Sequence, residues 1–492
     1  MSQDRSVVDK ELLEKVKEIK RSKDKSKNKK QNTASMVLSE GKVYEQIQRD
    51  GENLFLSLEE ESKEVDGIVP IDSDAIKKGM ILLPDGIEEY EDISALTKEI
   101  QEHVHKYLDI SEDMEIFAVY YILLSWLYDK TKTLNYFRFL GDWGSGKSRA
   151  LDIIGRLCYK PILVFGALTP AVVYRMLDLW KGTLVVDEGD FNNSDEQNEI
   201  MKIFNAGFEK SRASVARCNP NDVSIIDTFE VFGPKVISSR KTWRDKALES
   251  RCLTERMMQT TRKDIIPVLD DDYYEKENSL RRKLLKFRFD YYNKIKYEYH
   301  DLGIDELEPR LKQAVASFTT LLENIPELME RFKAFIREYN KQLIDERSDS
   351  YEGYIVQALA DLLLADQVYI TTSDIVAQIN ESFGTEYKPR SVGRVLKSFG
   401  FDNKLMKIEA KTMRTLILDE NVLKTIFERY LPIGHEMRKK VTKVTKVTTA
   451  SGGLCNFVTQ AQTDNRGNKT ASSPHSDVTN VTNVTEGSDG DR

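Results

Sequence analysis

Gly141-Asp142-Trp143-Gly144-Ser145-Gly146-Lys147-Ser148 is the stretch on which the reading of this chain turns. Gly141, Gly146, Lys147 and Ser148 fall at the spacing of a phosphate-binding loop. The loop sits between a strand, Tyr136 to Leu140, and a helix expected from Ser148 to Cys158, which is the context the motif needs. Glycines let backbone amides curl around phosphates, and the helix N-terminus adds partial positive charge. Lys147 would reach the β and γ phosphates, and the Ser148 hydroxyl would bind magnesium. All eight residues are therefore nucleotide-binding candidates, with ATP and Mg2+ as the expected cofactors.

Outward from the loop the chain alternates. A strand is expected at Ile162 to Phe165, a helix at Pro170 to Trp180 and a strand at Thr183 to Val186, the pattern of an α/β parallel sheet with helices on both faces. Thr183-Leu184-Val185-Val186-Asp187-Glu188 is an apolar strand ending in two carboxylates. Asp187 would stand beside the loop and hold the magnesium shell, and Glu188 is the natural general base for an attacking water. An apolar strand closed by an acidic pair is a weak signal alone, but at this distance from the loop it becomes strong. The intervening strand, Ile162 to Phe165, takes the Asp187 strand out of direct sequential adjacency to the loop strand, the order expected of additional-strand ATPases rather than of small-molecule kinases. A helix from Asp195 to Phe208, a hairpin from Ser214 to Arg217 and Val223 to Val231, and a core strand Lys235 to Ser238 follow.

Six segments result: a basic tail 1–34 expected to be disordered, an N-terminal adaptor 35–132, an ATPase core 133–265, a helical lid 266–346, a winged helix 347–432 and a polar tail 433–492. The adaptor has strand-like pieces at Leu54-Phe55-Leu56 and Ile81-Leu82-Leu83, then helical periodicity from Ile93 through Leu127. Hydrophobic content of 40% and charged content of 31% are those of a soluble globular protein. The longest apolar run, Ile116 to Tyr128, is too short to cross a bilayer, and no signal-peptide core precedes it. Cys158, Cys218, Cys252 and Cys455 form no metal-ligand pair, so a reducing, cytoplasmic setting is expected. The net charge of −8 gives no global attraction to DNA, so contacts to nucleic acid must come from local basic surfaces.

From Tyr136 to Met257 the sequence resembles AAA+ ATPases of the superfamily 3 and minichromosome-maintenance-like helicase kind, found with replication proteins of plasmids, phages and integrated mobile elements. The residues carrying the likeness, beyond the loop and the Asp-Glu strand, are Phe232-Gly233-Pro234-Lys235-Val236-Ile237-Ser238-Ser239-Arg240 and Ala247-Leu248-Glu249-Ser250-Arg251-Cys252. The resemblance implies a γ-phosphate sensor at Ser239 or neighbouring Ser238. It implies an arginine finger at Arg251 that completes a neighbour's site, with Arg244 and Arg256 as competitors and Arg310 as a second sensor. It also implies a ring, a hexamer by analogy, with single-stranded DNA in its channel.

Lys210, Arg212 and Arg217 on and before the hairpin are the candidate channel contacts, with a merely solvated hairpin as the alternative. Near the C-terminus, a capped helix from Ile370 to Asn380 and a second from Lys388 to Lys397 resemble a helix-turn-helix. Lys388, Arg390, Arg394 and Lys397 would lie on the exposed face of the second helix, with Val392, Val395, Leu396 and Phe399 turned inward. A wing from Leu405 to Glu409 and Thr412 to Leu418 would add Lys407 and Arg414, with Lys404 and Lys411, as phosphate contacts to duplex DNA. The leading expectation is a DNA-stimulated ATPase, a ring helicase or replication-initiation enzyme working with a separate primase or polymerase. The alternative is an ATP-gated DNA-binding regulator or defence protein without unwinding activity. A metabolic kinase is disfavoured by Glu188, the finger and the C-terminal module.

Overall fold

Tyr136–Leu140 (β1) buries all five side chains, as a strand covered on both faces must. A computed structural model describes residues 31–440 other than 39, 167, 188, 191–193, 297–300, 305–306, 324, 385, 409–410 and 439. The tails expected at 1–34 and 433–492 thus lie largely outside the described residues. The described chain divides between Leu343 and Ile344 into two compact units.

In the first unit β1 belongs to a five-stranded, wholly parallel sheet with Ile162–Val164 (β2), Leu184–Val186 (β3), Lys235–Ser239 (β4) and Cys252–Arg256 (β5). The spatial order is β5-β1-β4-β3-β2. The strand separating β1 from the Asp187 strand is β4, and β2 stands at the sheet's edge. Order along the chain does not fix order in space, because helical crossovers let a late strand enter between two earlier ones.

The segment expected as an adaptor shares this unit's core. Helix Glu112–Ser125 is apolar all round and buried along most of its length, and Phe117 meets Phe137 of β1 edge-on at 5.0 Å. The Tyr121 hydroxyl accepts from the Lys235 N–H at 3.0 Å and lies 2.9 Å from the Lys235 carbonyl, fixing where β4 begins. Ahead of the helices, Ser35–Val37, Val43–Arg49, Glu52–Leu56 and Glu61–Ser62 form an antiparallel meander. Ile81 makes only an isolated bridge to Ile162, not the strand expected there. The helix after the loop is α-helical over Lys147–Ala150 and π-helical over Leu151–Gly155. The wide turn lays Gly155 on β3, where a Cβ would come within 2.8 Å of Val185.

Helix Asp271–Tyr291, expected in a separate lid, is fastened to the meander and the sheet by buried charges. Arg288 Nε donates to Glu45 Oε1 at 2.7 Å, and its Nη atoms pair with both Asp129 oxygens at 2.9 and 3.1 Å. Glu45 Oε2 accepts from Lys160 Nζ and from the Tyr159 hydroxyl, each at 2.7 Å. Burial pulls the Lys160 ammonium down to about 8, and Glu45 holds it up against that loss. Helices Pro309–Leu322 and Pro326–Ser348 follow; Phe318 and Phe335 pack against Phe117.

The second unit contains helices Tyr351–Leu364, Thr372–Phe383, Pro389–Ser398 and Glu420–Tyr430, with a hairpin of Asn403–Ile408 and Lys411–Leu416. Thr371 and Asp374 close a reciprocal capping box, and Gly384 ends that helix at φ 61°. Thr371 also bridges Thr415, joining the helices to the hairpin. Among the described residues no helix is long and apolar enough to cross a membrane.

Glu45→Ala strips Arg288 and Lys160 of a buried partner. The expected cost is about 3–5 kcal/mol, read from the denaturant midpoint of the purified variant. A loss below about 1 kcal/mol would mean that the network contributes nothing beyond its packing.

Candidate active site

The loop leaves β1 and turns immediately. Gly141 donates its N–H to the Ser239 carbonyl of β4 at 3.2 Å. A Cβ on Gly141 would lie 2.4 Å from the Met257 carbonyl, so only glycine fits beneath the chain that leaves β5. Gly144 and Gly146 take φ values of 71° and 86°, which curl the loop into the helix that begins at Lys147. Ser145 Oγ closes the loop on the Asp142 carbonyl at 2.8 Å, and Lys147 Nζ donates to the same carbonyl at 2.6 Å. Trp143 is 77% exposed on the loop's rim.

Ser148 Oγ donates to Asp187 Oδ2 at 2.7 Å. The Ser238 hydroxyl donates to the other oxygen, Asp187 Oδ1. A carboxylate on β3 is thus held between the loop helix and the strand lying between β1 and β3. The arrangement follows from the parallel register, in which the C-terminal ends of β1, β4 and β3 meet at one edge. Of the two candidate sensors, Ser238 is the one brought to Asp187. Ser239 points to the opposite face, and its hydroxyl is buried without a hydrogen-bond partner. Glu188 lies outside the described residues, between Asp187 and a Gly189 whose N–H donates to the Ser238 carbonyl at 2.7 Å.

The candidate finger is not at this edge. Arg251 precedes β5, and its carbonyl accepts from the Tyr136 N–H at the start of β1, the sheet end away from the loop. Its guanidinium bonds Asn205 and lies over Phe208 at 5.3 Å. Of its competitors, Arg256 pairs across from Leu140 beside the loop, and Arg244 is exposed. Arg310 contacts Gln313, whose carbonyl accepts from Thr133 ahead of β1. That position puts it near the end of the sheet away from the loop.

The expected basic hairpin is Ser214–Cys218 paired with Ile226–Glu230. Arg217 is engaged by Glu199 and lies over the Tyr174 ring at 5.3 Å. Lys210 and Arg212 sit in a short turn before the hairpin, Lys210 donating back to the Asp129 carbonyl at 2.9 Å. The tip presents Val223, Ile225 and Ile226 instead of cations. In the second unit Lys388, Arg390, Arg394 and Lys397 are exposed while Val392 and Leu396 are buried. Lys404, Lys407, Lys411 and Arg414 are exposed on the hairpin.

Sequence reading missed Ser238 as the better-placed serine, and missed Arg240 and Trp243. Only the phase of β4 distinguishes Ser238 from Ser239. No local signal marks Arg240 or Trp243.

No family model and no curated protein matches the chain. Two solved apo structures of the NrS-1 C-terminal region are similar at 12% and 11% identity, each with a TM-score of 0.35. They cover 76% and 78% of this chain and 82% and 96% of their own. Cch of SCCmec type IV, described as an active helicase, is similar at 14% identity over 80% of each chain, with a TM-score of 0.41. The functional reading rests on the residues themselves.

Gly141→Ala forces its methyl against backbone that cannot give, whereas Gly144→Ala meets open space at a strained φ. Gly144→Ala is expected to cost about 1 kcal/mol and Gly141→Ala at least twice that, compared by thermal melting.

Proposed function

We propose that this chain is an ATP-hydrolysing, DNA-stimulated motor, a ring-forming DNA helicase or replication-initiation ATPase of a mobile genetic element. The observation that carries the reading is the clasp of Asp187 between Ser148 and Ser238, at the edge where the phosphate loop opens. A hydroxyl and a carboxylate side by side are hard oxygen donors of the kind magnesium takes. Ser148 and Asp187 would hold that ion, which when bound neutralises charge on the phosphoryl oxygens. Lys147 would turn from the Asp142 carbonyl to the phosphates, and the amides of 142–148 would cradle them. Ser238 sits where a polar group can orient the terminal phosphate while bonded to the metal-binding carboxylate. Glu188 is proposed as the base that orients the attacking water. The first unit is read as an AAA+ module. Its helical segment shares the sheet's core, so a freely swinging lid finds no support in the packing.

For the second unit we propose a winged helix-turn-helix that meets duplex DNA. Support comes from three cations on the open side of Pro389–Ser398 with Lys388 at its N-cap, and from the four on the hairpin. A second reading, an ATP-gated DNA-binding regulator or defence ATPase, draws on the hairpin of the first unit, where Arg217 is already paired and the tip is apolar.

Steady-state ATP hydrolysis with and without single-stranded DNA tests the motor reading. Wild type should be stimulated by DNA, Lys147→Ala should neither bind nor hydrolyse, and Glu188→Gln should bind nucleotide but lose at least about 100-fold in turnover. Hydrolysis indifferent to DNA would sink the motor and favour the regulator.

Arg394→Glu with Lys397→Glu should weaken duplex binding and lower the slope of log affinity against log salt by about 2. An unchanged slope would remove that helix from the DNA interface.

A further inference from the structure

The segment after Asp187 is pinned by two residues that the nucleotide motifs do not include. The Arg240 N–H donates to Asp190 Oδ1 at 2.8 Å, and its Nε to Oδ2 at 2.5 Å. Trp243 Nε1 donates to the Gly189 carbonyl at 2.7 Å. With the Gly189 N–H on Ser238, the Gly189-Asp190 pair is tied at its amide, its carbonyl and its carboxylate. Neither residue is loosely mounted. The Arg240 guanidinium lies 4.6 Å from the centre of the exposed Trp143 ring on the phosphate loop. Trp243 is 1% exposed, lies under Arg138 of β1 at 4.7 Å, and donates its backbone N–H to Glu249, which Arg138 also grips.

We propose that Arg240 and Trp243 are positioning residues: they fix Gly189 and Asp190 against β4 and couple that pair to the phosphate loop through Trp143. The inference rests on the hydrolytic reading of this site and adds the residues that hold it in register. Backbone amide, indole and guanidinium reach the same two residues from different directions, so losing one loosens the segment without unfolding the sheet. The effect belongs in the chemical step, because among the described residues these groups bond Gly189 and Asp190 and not the loop amides, Ser148 or Asp187. Nucleotide affinity, set by the loop, should not follow.

The test uses the full chain. Trp126, Trp180 and Trp243 are at most 1% exposed, so emission sensitive to acrylamide reports Trp143 and provides a binding signal independent of turnover. Arg240→Ala and Trp243→Phe should lower kcat roughly 10- to 100-fold with KM and the emission-derived affinity within about twofold of wild type. Arg240→Lys should recover part of the loss, and Arg240→Ala should raise acrylamide quenching. Arg240 is 33% exposed, so its variants carry the test even if Trp243→Phe unfolds. A raised KM with kcat intact, or no change in either, would overturn the proposal. A wild-type chain whose Trp143 emission answers to ATP but which does not hydrolyse it would overturn the hydrolase reading, and the proposal with it. That failure is recognised because the wild type, and not the variants, is silent.

Discussion

The entry of β4 between β1 and β3 is the constraint on which the site depends. That strand pairs with the loop strand on one side, Val236 opposite Phe137, and with the Asp187 strand on the other, Lys235 opposite Leu184. Its carbonyls then receive the N–H groups of Gly141 and Gly189, so both functional turns are hung from one strand end. The Ser238 hydroxyl is the third tie. A one-residue slip in β4 would turn the Ser238 hydroxyl to the opposite face, away from Asp187. Register at this strand is fixed from the far end, where buried Tyr121 grips Lys235.

That grip makes the N-terminal region part of the same compact unit as the sheet. The helix carrying Tyr121 is one of the layers that the parallel sheet requires, since a sheet with five buried residues in β1 must be covered on both sides. The Glu45 network then joins the meander to helix Asp271–Tyr291 and to Lys160 just before β2. Ion pairs this deep are costly to desolvate, and their worth lies in mutual completion: Glu45 has three donors and Arg288 has two carboxylates. Removing any one member exposes the desolvation cost of the others, which makes 31–92 part of the same folding unit as the sheet.

Much of the α/β core was legible because its signals are local. Tyr136 to Leu140 is an aromatic-rich run broken only by Arg138 and closed by Gly141, and Thr169-Pro170 opens a helix whose cap and first residue are both standard starts. What escaped reading depended on partners distant in sequence. Strand β5 ends Thr254-Glu255-Arg256, polar enough to pass for a loop, and is a strand because β1 offers an open edge. The meander is rich in charge, and Glu45 looks like a surface residue until Arg288 and Lys160 are placed beside it. Which strand lies beside which was not legible for the same reason: the sequence names the strands but not their neighbours. The serine at the site could be narrowed to two positions and no further, since alternation along a strand gives the period but not the phase.

The two ends of β5 separate two kinds of arginine chemistry. Arg256 emerges beside Leu140 at the phosphate-loop edge, while Arg251 emerges one strand length away, where Cys252 pairs with Tyr136. Five residues of strand span about 16 Å, farther than a guanidinium can reach from its own Cα. Arg251 can therefore serve no phosphate in its own subunit, and any role in hydrolysis requires a second copy whose loop faces the base of this sheet. In this structure its guanidinium bonds Asn205 and lies over Phe208 while its Nε is buried without a hydrogen-bond partner, so delivering it to a neighbour would exchange those contacts for an anionic partner. Asn205 is also bonded by its amide to Asp245, which caps the helix leading to Arg251. The held arginine and the turn that carries it would have to move together, and assembly, if it draws Arg251 out, must act on that helix as a whole.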